Sequence, residues 1–148
     1  TKSTNMLKRF SFWLWGLIIF QLLTALIHSF SFFVKPDPKD EKQKQFQDLL
    51  YDYKQDMGAG ITRSFMDLFW AVSISFTLIC LFGAIANWYL KKKQVSPDIW
   101  KGFLLIETII FGILMAMVLR FAFLPPMICT VLIFIFSLGA YLSVRSKS

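Results

Sequence analysis

Hydrophobic residues gather in four long runs along this chain, separated by polar segments. The spans predicted from these runs cover about residues 10–34, 61–90, 99–122 and 126–144. At ~1.5 Å of rise per helical residue, each is long enough to cross a hydrocarbon core of ~30 Å. No run alternates like a barrel strand, and lipid offers the backbone no hydrogen-bond partner. The pattern therefore predicts an all-α integral membrane protein, a four-helix bundle in a single domain of residues 1–148.

The longest polar segment, residues 35–60, lies between the first two spans. Asp37 followed by Pro38 favours a helix start, after which apolar residues recur at helical spacing. These apolar residues are Phe46, Leu49, Leu50, Tyr53 and Met57. We expect a short amphipathic helix over about residues 38–57, ended by Gly58 and Gly60. Its apolar face is expected to rest on the bundle or the membrane interface, and a dedicated binding lid is the alternative.

Composition and charge agree with a membrane location. The chain is 56% hydrophobic with 17 Phe, and its mean hydropathy of +0.57 lies above the soluble average. Its net charge of +7 comes from basic residues near span ends. We therefore expect anionic lipid headgroups as partners, above all at Lys91, Lys92 and Lys93, and no nucleic acid. The positive-inside rule then places both termini and the 91–101 loop in the cytoplasm.

Cysteine and histidine usage gives no sign of a metal or cofactor. Cys80 and Cys129 differ in predicted depth by on the order of 10 Å, too far for a disulfide, and are expected to be buried thiols. His28 is the only histidine. No metal-ligand cluster, nucleotide loop or haem-type His pair occurs, so neither a cofactor nor a metal is expected.

Weakly polar residues form two helical stripes inside the predicted spans. Gln21, Thr24 and His28 share one face of the first span. The second span presents a small, weakly polar face made of Ser73, Thr77, Cys80, Ala84 and Asn87. Such faces favour close contact between helices, so both stripes are expected to point into the bundle.

Three ionisable residues fall at a common predicted depth. His28, Asp67 and Arg120 each lie roughly 6 to 9 Å inside the outer helix ends, so they can meet. Together they would bind an anionic headgroup, relay protons or perform acid–base chemistry. The structural alternative is that Ser64 and Asp67 form a capping box while Arg120 extends to the headgroups.

Glu107 interrupts the apolar run LIETIIFG, residues 105–112. It lies about 12 Å from the cytoplasmic end of its span and ~20 Å from Arg120, so these two cannot pair. Gln21, at ~16 Å from the same end, is the nearest polar candidate. Without a cation, burial is expected to keep Glu107 neutral and able to donate a hydrogen bond to Gln21 or a carbonyl. The alternative is a carboxylate that binds a proton or a ligand.

Several motifs together resemble those of a known family. They are His28, the segment 36–38, Met57 with Gly58, SFMDLFWAVSISFTLICLFGAIAN (64–87) and RFAFLPP (120–126). From His28 to Pro126 the chain resembles a family of small four-span bacterial inner-membrane proteins that carries no assigned activity. The resemblance implies the same fold and location and transfers no catalytic residue.

Two functions follow as expectations. The first is an accessory subunit or a binder of a lipid-like ligand, not a catalyst, with Gln21, His28, Asp67 and Arg120 as ligand-binding candidates. The second is a membrane enzyme or proton-coupled carrier for a lipid-like substrate, with His28, Asp67 and Glu107 as catalytic candidates and Arg120 as anion holder. Either is compatible with a homo-oligomer or a larger membrane complex as partner.

Overall fold

The computed structural model describes residues 2–30, 33 and 37–144, with side chains described from residue 8 onward. In this part of the chain the elements are α1 (Lys2–Phe30), α2 (Glu41–Asp52), β1 (Lys54–Asp56), β2 (Thr62–Ser64), α3 (Phe65–Lys92), α4 (Pro97–Phe121) and α5 (Leu124–Ser143). Helices α1, α3, α4 and α5 are long and apolar enough to span a membrane. The predicted all-α, four-span architecture is confirmed. The predicted end of the first span at Val34, and Arg145 and Lys147 of the C-terminal tail, lie outside the described residues.

The contacts divide the chain into two compact units. The first unit combines residues 1–24 with 80–148, and the second is residues 25–79. Helices α1 and α3 each contribute residues to both units. The first unit contains parts of all four long helices, and the second contains α2 and the two strands.

Helices α1 and α5 run antiparallel in the first unit. The Trp13 ring occupies the space beside Gly139, and the Phe136 ring occupies the space beside Gly16. The centroids of these two rings are 5.4 Å apart. Residue numbers rise along α1 as they fall along α5, which makes the two helices antiparallel. A glycine of each helix contacts an aromatic ring of the other.

The remaining helix pairs alternate in the same way. Residue numbers rise together along α1 and α4, because Phe10 contacts Trp100 and Gln21 contacts Glu107. Residue numbers along α3 fall as those along α1 rise, because Ser11 contacts Lys91 and Gln21 contacts Asn87. Thus α1 and α4 point one way and α3 and α5 point the other, as four successive membrane crossings require.

The buried apolar residues of the first unit come from all four long helices, and they include Leu14, Leu17, Cys80, Leu104, Phe111 and Ile133. Large apolar residues also cover the outside, where Phe82 is 70% and Leu142 is 72% exposed. Exposed apolar surface of this extent is suited to lipid contact and would be unusual in a soluble protein.

The small, weakly polar face predicted for the second span is confirmed. Its five residues are all buried: Ser73, Thr77, Cys80, Ala84 and Asn87. Small side chains let a neighbouring helix approach closely, which explains why this face of α3 points inward. Cys80 and Cys129 are both free thiols, but only Cys80 is buried, so the expectation of a buried thiol is wrong for the half-buried Cys129.

Helix α2 starts later than the sequence predicts. Asp40, and not Asp37, is the N-cap, because its carboxylate accepts a hydrogen bond of 2.8 Å from the Gln43 backbone N–H. Gln43 Oε1 in turn accepts one of 2.8 Å from the Lys39 backbone N–H. These two hydrogen bonds satisfy two backbone donors at the start of the helix, so the expected start at Asp37 and Pro38 is wrong.

The expected continuation of α2 to Met57 is also wrong. The helix ends at Asp52, and Lys54–Asp56 pairs with Thr62–Ser64 as an antiparallel hairpin. The turn holds Gly58, Ala59 and Gly60 at φ values of 90°, 53° and 75°. Three successive left-handed residues cannot continue a helix, and Asp56 Oδ1 fixes the turn by accepting the Gly58 N–H at 2.8 Å.

Prolines begin the last two helices. Pro97 lies in the first turn of α4 after the N-cap Ser96, whose side chain makes no capping hydrogen bond. Two prolines in the first turn of α5 follow a short connection from Phe121, which makes a tight link between α4 and α5. Phe134 of α5 packs beside Gly112 of α4.

Candidate functional site

A buried polar cluster centres on Glu107 in the first unit. Gln21 Nε2 on α1 donates a hydrogen bond of 2.5 Å to Glu107 Oε1. Asn87 Nδ2 on α3 lies 2.9 Å from Oε1 and 3.0 Å from Oε2 of the same carboxyl group. Gln21 and Asn87 are 0% exposed and Glu107 is 6% exposed. The cluster therefore joins three membrane helices through one carboxyl group.

The predicted pairing of Gln21 with Glu107 is confirmed, but two features differ from the expectation. Both amide nitrogens point at the carboxyl oxygens, whereas the sequence predicts Glu107 as the donor. Asn87, predicted only on the packing face of α3, contacts both carboxyl oxygens. A role of Gln21 in ligand binding stays a prediction.

Gly83 makes room for this cluster. A Cβ at Gly83 would lie 2.5 Å from Gln21 Nε2 and 2.9 Å from Glu107 Oε1. Both distances are shorter than real Cβ contacts, so any larger residue would displace the polar groups. Gly83 precedes Asn87 by four residues and so shares its helix face. A glycine one turn before an intramembrane amide is the signal that could have identified both residues from sequence.

The cluster contains no cation among the described side chains. Every hydrogen bond that Glu107 receives there comes from a neutral amide. Asn87 Oδ1 and the nearby Thr108 Oγ1 are buried and have no hydrogen-bond partner among the described residues. Amides compensate a buried carboxylate only in part, and the neutral form of Glu107 expected from the sequence stays a prediction.

Asp67 caps its own helix in the second unit. Its Oδ2 accepts the Ser64 backbone N–H at 2.9 Å, and its backbone N–H donates to Ser64 Oγ at 3.1 Å. This is the reciprocal capping box at the start of α3. The structural alternative predicted for Asp67 is confirmed.

His28 and Arg120 have aromatic neighbours. The His28 ring packs edge-on against Phe76 with centroids 5.1 Å apart, inside the second unit. The Arg120 guanidinium carbon in the first unit lies 5.4 Å from the centroid of the adjacent Phe121 ring. A joint site of these two residues with Asp67 stays a prediction.

An apolar groove of about 870 Å³ lies in the second unit, between α2 and the first turns of α3. Its apolar lining consists of Phe46, Leu50, Phe65, Met66, Leu68, Phe69 and Val72. Its polar lining consists of Asp37, Lys39, Gln43, Gln47 and Tyr51. No residue of α2 is buried, and Phe46 remains 60% exposed. Phe46 and Leu50, two of the five residues predicted for the apolar face of α2, therefore border an open groove, whereas Leu49 lies outside it.

The three lysines at the end of α3 lie against aromatic rings. Lys91 Nζ is 4.1 Å from the centroid of Trp15 and donates to Ser11 Oγ at 3.3 Å. Lys92 Nζ lies 5.1 Å from the centroid of the Trp88 ring, and Lys93 Nζ lies 5.7 Å from that of Tyr89. Lysines over aromatic rings at a helix end are typical of the membrane–water interface.

No family model, no curated protein and no solved structure matches this chain. Its own residues define it as a membrane protein with four helices able to cross a bilayer.

Proposed function

We propose that this small integral membrane protein binds a lipid-like ligand, as an accessory component of the membrane and not as a catalyst. The occupant of the groove in the second unit is the acyl chain of a membrane lipid. The single observation that carries this proposal is the open, mostly apolar groove between α2 and α3.

Size and lining support an acyl chain. The groove volume of about 870 Å³ falls in the range of ~300–1,000 Å³ typical of ligand pockets. Phe46 and Leu50 from α2 face it together with Phe69 from α3. An acyl chain in the groove would cover this apolar surface, and each buried CH₂ would contribute ~0.8 kcal/mol.

The position of the groove supports a lipid as the source of that chain. One wall is the beginning of α3, which is itself long and apolar enough to span the membrane. The other wall is an amphipathic helix of the kind that lies at a membrane surface. Lys39 and Gln43 in the groove lining supply hydrogen-bond donors for a phosphate or an ester carbonyl.

The lysines at the end of α3 support a second contact with lipid. Lys92 and Lys93 are placed over rings that belong at the headgroup level, where each charge near an anionic surface contributes ~1 kcal/mol. Anionic headgroups at Lys91, Lys92 and Lys93 are therefore part of the proposal.

The alternation of the long helices supports termini on one side of the membrane. We propose the cytoplasmic side of a bacterial inner membrane, because the basic residues cluster at that end and the motifs resemble the inner-membrane family.

A membrane enzyme or proton-coupled carrier is the second candidate. It would use His28, Asp67, Arg120 and Glu107 on a lipid-like substrate. The burial of Glu107 favours it. The capping role of Asp67 favours the first candidate, because the hydrogen bond from the Ser64 backbone N–H holds that carboxyl group at the start of its own helix.

Native mass spectrometry of the chain released from mild detergent tests the lipid proposal. Leu50→Trp fills the groove, whereas Leu49→Trp makes the same change at a neighbouring residue that is 60% exposed and outside the groove. We expect the unmodified chain and L49W to retain phospholipid and L50W to lose it. Equal retention by all three proteins, or retention by none, would contradict the proposal.

A further inference from the structure

We propose that Glu107 is the centre of a proton-binding site in the core of the first unit, which takes one proton from water and returns it. Asn87 and Gln21 are its positioning residues. The site belongs to the first unit and the lipid groove to the second, so this inference is independent of the proposed lipid binding.

The geometry is that of a built site. Three side chains from α1, α3 and α4 converge on one carboxyl group, and all three are buried. Gly83 leaves the space they occupy, since a single Cβ there would collide with Gln21 and Glu107. Four residues on three helices thus form a polar cluster inside an apolar bundle.

The charges around the cluster leave Glu107 without a permanent counter-ion. The other ionisable side chains described on the helices of this unit are Lys8 and Arg9 on α1; Cys80, Tyr89, Lys91 and Lys92 on α3; Asp98, Lys101 and Arg120 on α4; and Cys129 and Tyr141 on α5. None of these described groups is hydrogen-bonded or ion-paired to Glu107. Lys91, one turn beyond Asn87, instead contacts Ser11 and Trp15. A proton is the cation that neutralises this carboxylate without further ligands.

Asn87 carries a second, independent sign of a ligand. Its Nδ2 lies near three oxygens, the third being Gln21 Oε1 at 3.4 Å, although an amide nitrogen has only two hydrogens. Its Oδ1 is buried and accepts no hydrogen bond from the part of the chain that the structure describes. The amide therefore offers one acceptor for which the described residues supply no donor.

A proton on Glu107 supplies that donor. With the carboxylate ionised, Asn87 Nδ2 donates to both of its oxygens. When Glu107 is neutral, rotation of the Asn87 side-chain amide by about 180° lets its Oδ1 accept the new O–H. Gln21 Nε2 still donates to Glu107 Oε1. Each protonation state then has its own amide orientation, and the proton comes from and returns to water.

The chain offers a direct measurement, because Glu41 and Glu107 are its only glutamates. Glu41→Gln, with the remaining glutamate labelled with ¹³C at its side-chain carboxyl, carries one reporter. We expect its solid-state NMR resonance in phosphatidylcholine–phosphatidylglycerol vesicles to move from the neutral-acid to the carboxylate position as the pH is raised. A carboxylate signal at every pH, or a neutral-acid signal at every pH, would overturn the proposal.

A change of salt distinguishes a proton site from a metal-cation site. Replacing choline chloride by sodium chloride should leave the midpoint of the titration unchanged, because sodium does not compete for a site that takes a proton alone. A midpoint that moves with sodium would overturn the proposal in favour of a metal-cation site.

A substitution at Asn87 tests the positioning role. Asn87→Leu should bind the proton on the order of tenfold more tightly, because the hydrogen bond to the charged carboxylate is the stronger of those it loses. Gln21→Leu is the substitute if N87L does not assemble. An unchanged midpoint in the variant that folds would refute the positioning role.

Discussion

Asn87 Nδ2 on α3 reaches both carboxyl oxygens of Glu107 on α4, at 2.9 and 3.0 Å. Both side chains are buried, so the contact links two helices where water cannot compete for the hydrogen bonds. Polar contacts of this kind hold membrane helices together in one register.

A double-mutant cycle measures this link. Asn87→Leu and Glu107→Leu should each lower the free energy of unfolding by about 1–3 kcal/mol, because each leaves a buried polar partner without its hydrogen bond. The double variant should lose less than the sum, with a coupling of about 0.6–1.7 kcal/mol. Unfolding in one detergent at fixed concentration gives the values. Strictly additive losses would show that the two residues act separately.

Gly83 sets the space available to the same cluster. Gly83→Ala should destabilise the protein by about 1–3 kcal/mol, because its Cβ would collide with Gln21 and Glu107. Gly102→Ala on α4 is the matched control, since a Cβ there meets nothing within 4 Å. That control should be neutral or up to about 1 kcal/mol more stable, because alanine is the better helix former. Equal melting temperatures for both variants would contradict the described packing.

The cap of α3 gives a local prediction. Ser64→Ala should cost about 0.5–2 kcal/mol and speed hydrogen exchange in the first turn of α3, because the Asp67 N–H loses its partner. Ser75→Ala is the control: Ser75 is exposed, and its hydroxyl only donates to the Ala71 carbonyl of the same helix. Unchanged exchange at residues 65–68 in S64A would argue against the capping box.

The lysines after Asn87 predict a preference for anionic lipid. Lys92→Gln with Lys93→Gln should weaken the preference for phosphatidylglycerol over phosphatidylcholine by about 2 kcal/mol in total. Lys42→Gln with Lys44→Gln removes the same charge from exposed positions on α2 and should have a smaller effect. Lipid exchange monitored by native mass spectrometry gives both numbers. An equal effect of the two pairs would assign the preference to net charge alone.

The spans and the main buried contact follow from simple physics. Span length depends on helix rise and bilayer thickness, and the buried face of α3 depends on the helical period, so both are predictable from sequence. The pairing of Gln21 with Glu107 also follows from depth, because two polar groups at similar heights in lipid have few other partners. Depth, however, gives no rotation about the helix axis. The stripe on α3 turns Asn87 inward but does not say which residue of another helix it meets, so the sequence does not assign Asn87 and Gly83 to the cluster.

The segment after α2 shows where the sequence is insufficient. Its apolar spacing to Met57 fits a helix, and its glycines fit a helix end as well as they fit a hairpin turn. The pairing of Lys54–Asp56 with Thr62–Ser64 decides the outcome, and this contact crosses a turn that local propensity does not describe. The apolar groove is not predictable from the sequence for a related reason: it depends on the position of α2 relative to the start of α3, and not only on which face of α2 is apolar.

The mutual fit of Trp13 with Gly139 and Phe136 with Gly16 also has a consequence for biogenesis. During synthesis α1 enters the membrane well before α5 leaves the ribosome, so its glycine face first meets lipid or an insertion chaperone. The bundle closes only when the fourth span arrives. An interruption of translation after α4 would therefore release an unfinished membrane protein in which the face of α1 that packs against α5 is uncovered. Such a protein is a suitable substrate for quality-control proteases.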